Sequence, residues 1–156
     1  MSYKKKSNFW VIIGGVLAVV LIAGIALALF AGNTGYKWQA GTLDENGKFV
    51  KSEYNIVSKE FSKIEDLKEI EVEEDSNFSY TIFYYDEDEK YLTNLGFGAG
   101  TSFDKTSIEG SLVENPTAEL FKIVLTPNEV NGEKIKVDNS NIEDYTSQMT
   151  ITFNEE

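Results

Sequence analysis

The 156-residue chain has no cysteine, no histidine and no arginine. Without cysteine it can form no disulfide, no thiolate metal site and no thiol nucleophile. Without histidine as well, the usual nucleophile–base pairs of hydrolytic enzymes have no members. Paired carboxylates are the remaining route, since two of them can hydrolyse a glycosidic bond. With 26 acidic residues in the chain, close pairs arise by chance, and none stands out by its context. The sequence therefore predicts no enzyme, and neither a catalytic nor a metal-ligating residue can be named. All 14 basic residues are lysine. Lysine to the exclusion of arginine, with many Asn and Ile, fits an AT-rich genome and points to a low-GC Gram-positive bacterium or its phage.

What is present divides sharply. Lys4, Lys5 and Lys6 precede an uncharged apolar run over residues 9–31. At ~1.5 Å rise per residue the run spans ~34 Å as a helix, enough to cross a ~30 Å hydrocarbon core. The lysines favour the cytoplasmic side, and Trp10 suits the inner headgroup region. The rival reading is a cleaved signal peptide with Ala26-Leu27-Ala28 as its site, but signal cores run only about 7–15 apolar residues. The sequence predicts a single-pass cell-membrane protein. Residues 1–8 form a cytoplasmic stub, 9–31 a signal anchor, 32–36 a short linker, and 37–156 an acidic extracellular domain.

That outer part holds 11 Lys against all 26 acids, a formal charge of −15. Nucleic acid and anionic lipid bind through neutralised phosphates, so both are disfavoured partners of this part.

Its pattern is strand and turn. Asp44-Glu45-Asn46-Gly47 signals a tight hairpin, because Gly accepts positive φ. Phe78–Tyr85 is the clearest strand: Phe78, Tyr80, Ile82 and Tyr84 share one face, while Phe83 and Tyr85 make the other partly apolar. That predicts a central strand covered on both sides. Asp86-Glu87-Asp88-Glu89 turns the chain into a partner strand from Lys90. Residues 120–125 read as a strand stopped by Pro127, and 134–137 and Met149–Phe153 as two later strands. Residues 60–69 carry Phe61, Ile64 and Leu67 at helical spacing, which leaves open a short helix or a turn feeding a strand at 70–73. Residues 96–100 and 114–117 read as loops. Several short strands between turn residues predict an all-β domain, a sandwich or barrel.

Two stretches carry a resemblance. One is Trp38-Gln39-Ala40-Gly41-Thr42-Leu43-Asp44-Glu45-Asn46-Gly47-Lys48. The other is Phe83-Tyr84-Tyr85-Asp86-Glu87-Asp88-Glu89-Lys90-Tyr91-Leu92, followed by Asn115-Pro116-Thr117-Ala118-Glu119-Leu120-Phe121-Lys122-Ile123. Together they resemble the galactose-binding-domain-like jelly-roll modules of bacterial and phage surface proteins. Lys122 departs from that pattern, which has arginine there, and lysine cannot make arginine's bidentate contacts. The resemblance implies an eight-stranded, two-sheet sandwich and a carbohydrate-binding or packing role.

Ligand chemistry is sparse. The acidic runs 71–75 and 86–89 offer oxygen donors of the kind calcium takes, but neither matches a calcium loop, and solvated turns explain them. No cofactor is implied. A sugar site needs exposed aromatic rings; Trp38, Tyr85, Tyr91, Phe97 and Phe103 are the candidates. Phe97, between two glycines, and Trp38 are the ligand-binding residues the sequence favours. The expected function is a membrane-anchored, non-catalytic binding module for a glycan or other envelope polymer. The alternative is an accessory subunit of an envelope or phage-related complex, with an envelope protein as its partner.

Overall fold

The computed structural model describes residues 36–154. The stub, the predicted anchor 9–31 and most of the linker lie outside them. Among the described residues, no helix is long and apolar enough to cross a membrane.

The described part is all-β and antiparallel, with two short helices. In chain order come β1 (Trp38–Ala40), β2 (Thr42–Leu43), β3 (Phe49–Val50), β4 (Ile56–Ser58), β5 (Ser62–Lys63), β6 (Leu67–Val72), β7 (Phe78–Tyr85) and β8 (Tyr91–Phe97). Then follow β9 (Phe103–Asp104), α1 (Lys105–Ser111), β10 (Leu120–Pro127), α2 (Ile142–Thr146) and β11 (Met149–Phe153). The largest sheet runs β1-β4-β10-β7-β8, with β5 also paired to β10. A second sheet runs β11-β6-β9, and β2–β3 form a separate ribbon. The described residues hold eleven short strands in three sheets, where the resemblance implies eight in two.

β7 is the hub, as its alternation predicts. It pairs along its whole length with β10, from Phe78↔Pro127 to Tyr85↔Leu120. Phe78, Tyr80, Ile82 and Tyr84 enter the main core with Ile70, Phe103, Met149 and Ile151 of the smaller sheet. That shared apolar layer makes the architecture sandwich-like. Phe83 and Tyr85 enter a second cluster with Leu43, Val57 and Val124 on the opposite face. Each fully buried large side chain contributes roughly 1.5–3 kcal/mol relative to exposure. Two-sided burial therefore explains why this strand reads as nearly continuous apolar sequence.

A helix over 60–69 does not form. The segment makes β5, a turn and the start of β6. Leu67 pairs with Phe153 but Glu69 pairs with Thr152, so Lys68 is an extra, bulged residue. The bulge puts Leu67 and Ile70 in the same core despite an odd spacing. Residues 134–137 form no ladder strand either; Val137 is buried and its N–H donates to the Glu53 carbonyl at 2.6 Å. The 96–100 loop begins later than expected, because β8 continues through Phe97. Helix α1 starts where the Asp104 carboxylate accepts the Ser107 N–H at 2.8 Å, and it buries Ile108, with Leu112 buried just past its end.

Candidate functional site

Two turns of one design stand beside each other. In Asp44-Glu45-Asn46-Gly47-Lys48, the Asp44 carboxylate accepts the N–H groups of Asn46 and Lys48, each at 2.9 Å. In Asp86-Glu87-Asp88-Glu89-Lys90, the Asp86 carboxylate accepts those of Asp88 at 3.1 Å and Lys90 at 2.9 Å. The fourth residue is left-handed in both, Gly47 at φ 69° and Glu89 at φ 60°. Aspartate side chains are suited to this local bonding. The acidic run 86–89 thus has a structural use for its first carboxylate, and no group of three or more acidic side chains among the described residues is arranged to hold a metal.

The turns are tied by Tyr85, the last residue of β7, whose hydroxyl donates to the Gly47 carbonyl at 2.7 Å. Burial, with Tyr91 and Asp44 adding to it, pushes the Tyr85 hydroxyl well above the ordinary tyrosine range. A bulge sets its neighbour: Tyr91 pairs with Tyr85 but Thr93 pairs with Tyr84, so Leu92 is the extra residue. Tyr91 thereby shares the second sheet face with Tyr85, their rings 6.0 Å apart and edge-on. Phe61 meets Tyr85 edge-on at 4.9 Å.

Between the turns opens a cleft of about 520 Å³. Its aromatic lining is Phe49, Phe61, Tyr85 and Tyr91, and Phe49 is 47% exposed. Its charged lining is Lys48, Lys90, Lys122 and Glu89. Lys122 is half-buried on β10; its ammonium donates to the Lys59 carbonyl at 3.0 Å and sits 4.4 Å from the Phe61 ring centre. Burial lowers its pKa below the ordinary lysine value, with Glu89 partly opposing.

The two residues favoured from sequence lie elsewhere. Trp38 is on β1 and Phe97 ends β8, which are opposite edges of the large sheet. Trp38 packs against Tyr36 at 5.0 Å and the main core. Phe97 stacks on Tyr80 at 4.9 Å and meets Phe103 at 4.6 Å. Tyr85 and Tyr91, named from sequence as candidate aromatics, do come together in the cleft. Phe49, Phe61 and the three lysines are not among the ligand-binding residues the sequence favours. The available signal was the repeated Asp-Glu-x-x-Lys spacing at 44–48 and 86–90.

Compared with protein-family models, curated proteins and solved structures, the chain matches none.

Proposed function

We propose that the chain is a non-catalytic binding module that takes a glycan segment of a cell-envelope polymer in the cleft between the two turns. The domain stands outside the membrane, held by an anchor at 9–31, and its sandwich belongs to the jelly-roll kind that the opening and hairpin motifs resemble. The observation that carries this reading is the cleft itself, where four aromatic side chains converge with polar turn groups. Ligand sites of this size combine apolar walls with a few placed polar groups. One carboxylic acid, Glu89, lines it, whereas a glycoside-cleaving site needs two. The accessory-subunit reading calls for a broad bare apolar face. The strongly exposed large hydrophobics among the described residues are Phe49, Val50, Val113 and Val130, and Phe49 belongs to the cleft.

The test is an array of glycans and envelope polymers probed with the full chain in a neutral detergent, as wild type and as Tyr91→Ala and Phe49→Ala. A saturable signal that drops about tenfold in either variant supports the reading, that being the scale of one lost aromatic contact. A blank array from folded protein contradicts it and turns the search to protein partners.

A further inference from the structure

The outer domain carries 26 acids, yet one cleft gathers three lysines. The ion pairs among the described residues involve Lys37, Lys63 and Lys136. Lys48, Lys90 and Lys122 are therefore left outside any such pair, on three different segments that the fold brings to one opening. Lys48 and Lys90 hold matching places at the ends of the twin turns, so one backbone design delivers both. Lys122 comes from the middle of β10. An ammonium has three N–H donors. One from Lys122 goes to the Lys59 carbonyl, which leaves donor capacity in a group that lines the cleft. Glu89 attracts this half-buried ammonium without forming an ion pair with it among the described residues, so the cation has lost part of its hydration and an incoming anion adds to that interaction.

We infer that the cleft recognises an acidic glycan, a sugar chain carrying a carboxylate or phosphate, with the anionic group held among Lys48, Lys90 and Lys122 and a sugar ring against Tyr91 and Phe49. This rests on the binding-module reading above and gives its ligand a charge. The domain's net negative field limits which anions enter. At physiological ionic strength exposed charges are screened beyond ~8 Å, so an isolated anionic group reaches the lysines. A densely charged strand, with about one charge per 1.7 Å as in duplex DNA, cannot keep its other charges clear of the surrounding acids. The ligand is accordingly a sparsely charged chain, with neutral sugars between its acidic ones.

The test is calorimetric titration of the full chain in neutral detergent with three oligosaccharides of equal length. One carries a single uronate per disaccharide, one carries a sugar phosphate, and the third is the first with its carboxyls reduced to alcohols. At least one acidic oligosaccharide should bind about tenfold or more tightly than the neutral one, and the stronger of the two identifies the anion. Lys122→Gln should remove most of that preference, as expected for loss of one charge-assisted contact. Lys48→Gln and Lys90→Gln, exposed turn substitutions that leave the core intact, should each reduce it, while Lys68→Gln on β6 should not. Equal binding of acidic and neutral chains, lost in Tyr91→Ala, overturns this inference and leaves the binding module standing. An acidic preference indifferent to all three lysines also overturns it. No binding of any of the three by folded protein overturns the inference and counts against the module as well.

Discussion

The Tyr85 hydroxyl donates a 2.7 Å hydrogen bond to the Gly47 carbonyl, joining residues 38 apart in sequence. Gly47 meets two demands there. Its φ of 69° favours a residue without a side chain, and an added Cβ would lie 2.8 Å from both the Tyr85 hydroxyl oxygen and a Tyr91 ring carbon. Gly47→Ala should destabilise the domain by about 2–4 kcal/mol, combining left-handed strain with overpacking. Tyr85→Phe should cost about 1 kcal/mol, the scale of a single net hydrogen bond. Urea unfolding of both variants measures these values, and an unchanged midpoint in Gly47→Ala would show that the turns do not touch as described.

The twin turn predicts the opposite sign. Glu89 occupies the same left-handed position at φ 60° with a side chain, where glycine is at ease. Glu89→Gly should stabilise by roughly 0.5–1.5 kcal/mol, less whatever the attraction of Glu89 to Lys122 contributes. A lower unfolding midpoint in this variant contradicts the equivalence of the two turns.

Much of this was legible from the chain. Phe78–Tyr85 declares a two-sided strand because its side chains really are buried on both faces, and the Asp44 and Asp86 turns follow from local side-chain bonding. The bulges were not legible. Lys68 and Leu92 are extra residues that only a partner strand can reveal. The cleft stayed hidden for a related reason: Lys48 with Phe49, Phe61, Lys90 and Lys122 lie on four separate segments, and only long-range pairing brings them together. The packing of Phe97 was not legible either: neighbouring glycines suggest an exposed loop, while the β7–β8 register lays its ring on Tyr80.

Trp38 and Phe97 should matter for stability and not for the cleft. Trp38→Ala and Phe97→Ala each remove a partly buried aromatic packed on the main core and should cost about 2–4 kcal/mol, toward the lower end of the range for aromatic truncation. Thermal unfolding gives the loss. At a temperature where both variants remain folded, affinity for any ligand of the cleft should match wild type; a selective loss of binding would restore them as site residues.

Alkaline pH should unfold the domain. Burial raises the hydroxyls of Tyr36 and Tyr84 to about 12, and those of Tyr80, Tyr85 and Tyr145 upward as well. Between an unfolded value near 10 and the folded value, the native state keeps protons that the unfolded chain has lost. Stability is thus fully present below about pH 10 and falls as pH rises toward 12. Lys122 works the other way, its lowered pKa relieving a destabilisation as pH climbs, but it is one group against five. Denaturant midpoints measured across this range should fall steadily, with the phenolate absorbance of these five tyrosines appearing together with unfolding. Free ionisation of these tyrosines in a fully folded domain would contradict their burial.

The central claim is that ligand enters the cleft between the twin turns, and amide shift mapping of the isotope-labelled full chain in neutral nanodiscs tests it most directly. With an acidic oligosaccharide added, the account predicts saturable shifts confined to Gly47, Lys48, Phe49, Phe61, Lys90, Tyr91 and Lys122. Saturable shifts centred instead on Trp38 or Phe97, with the two turns silent, would contradict it.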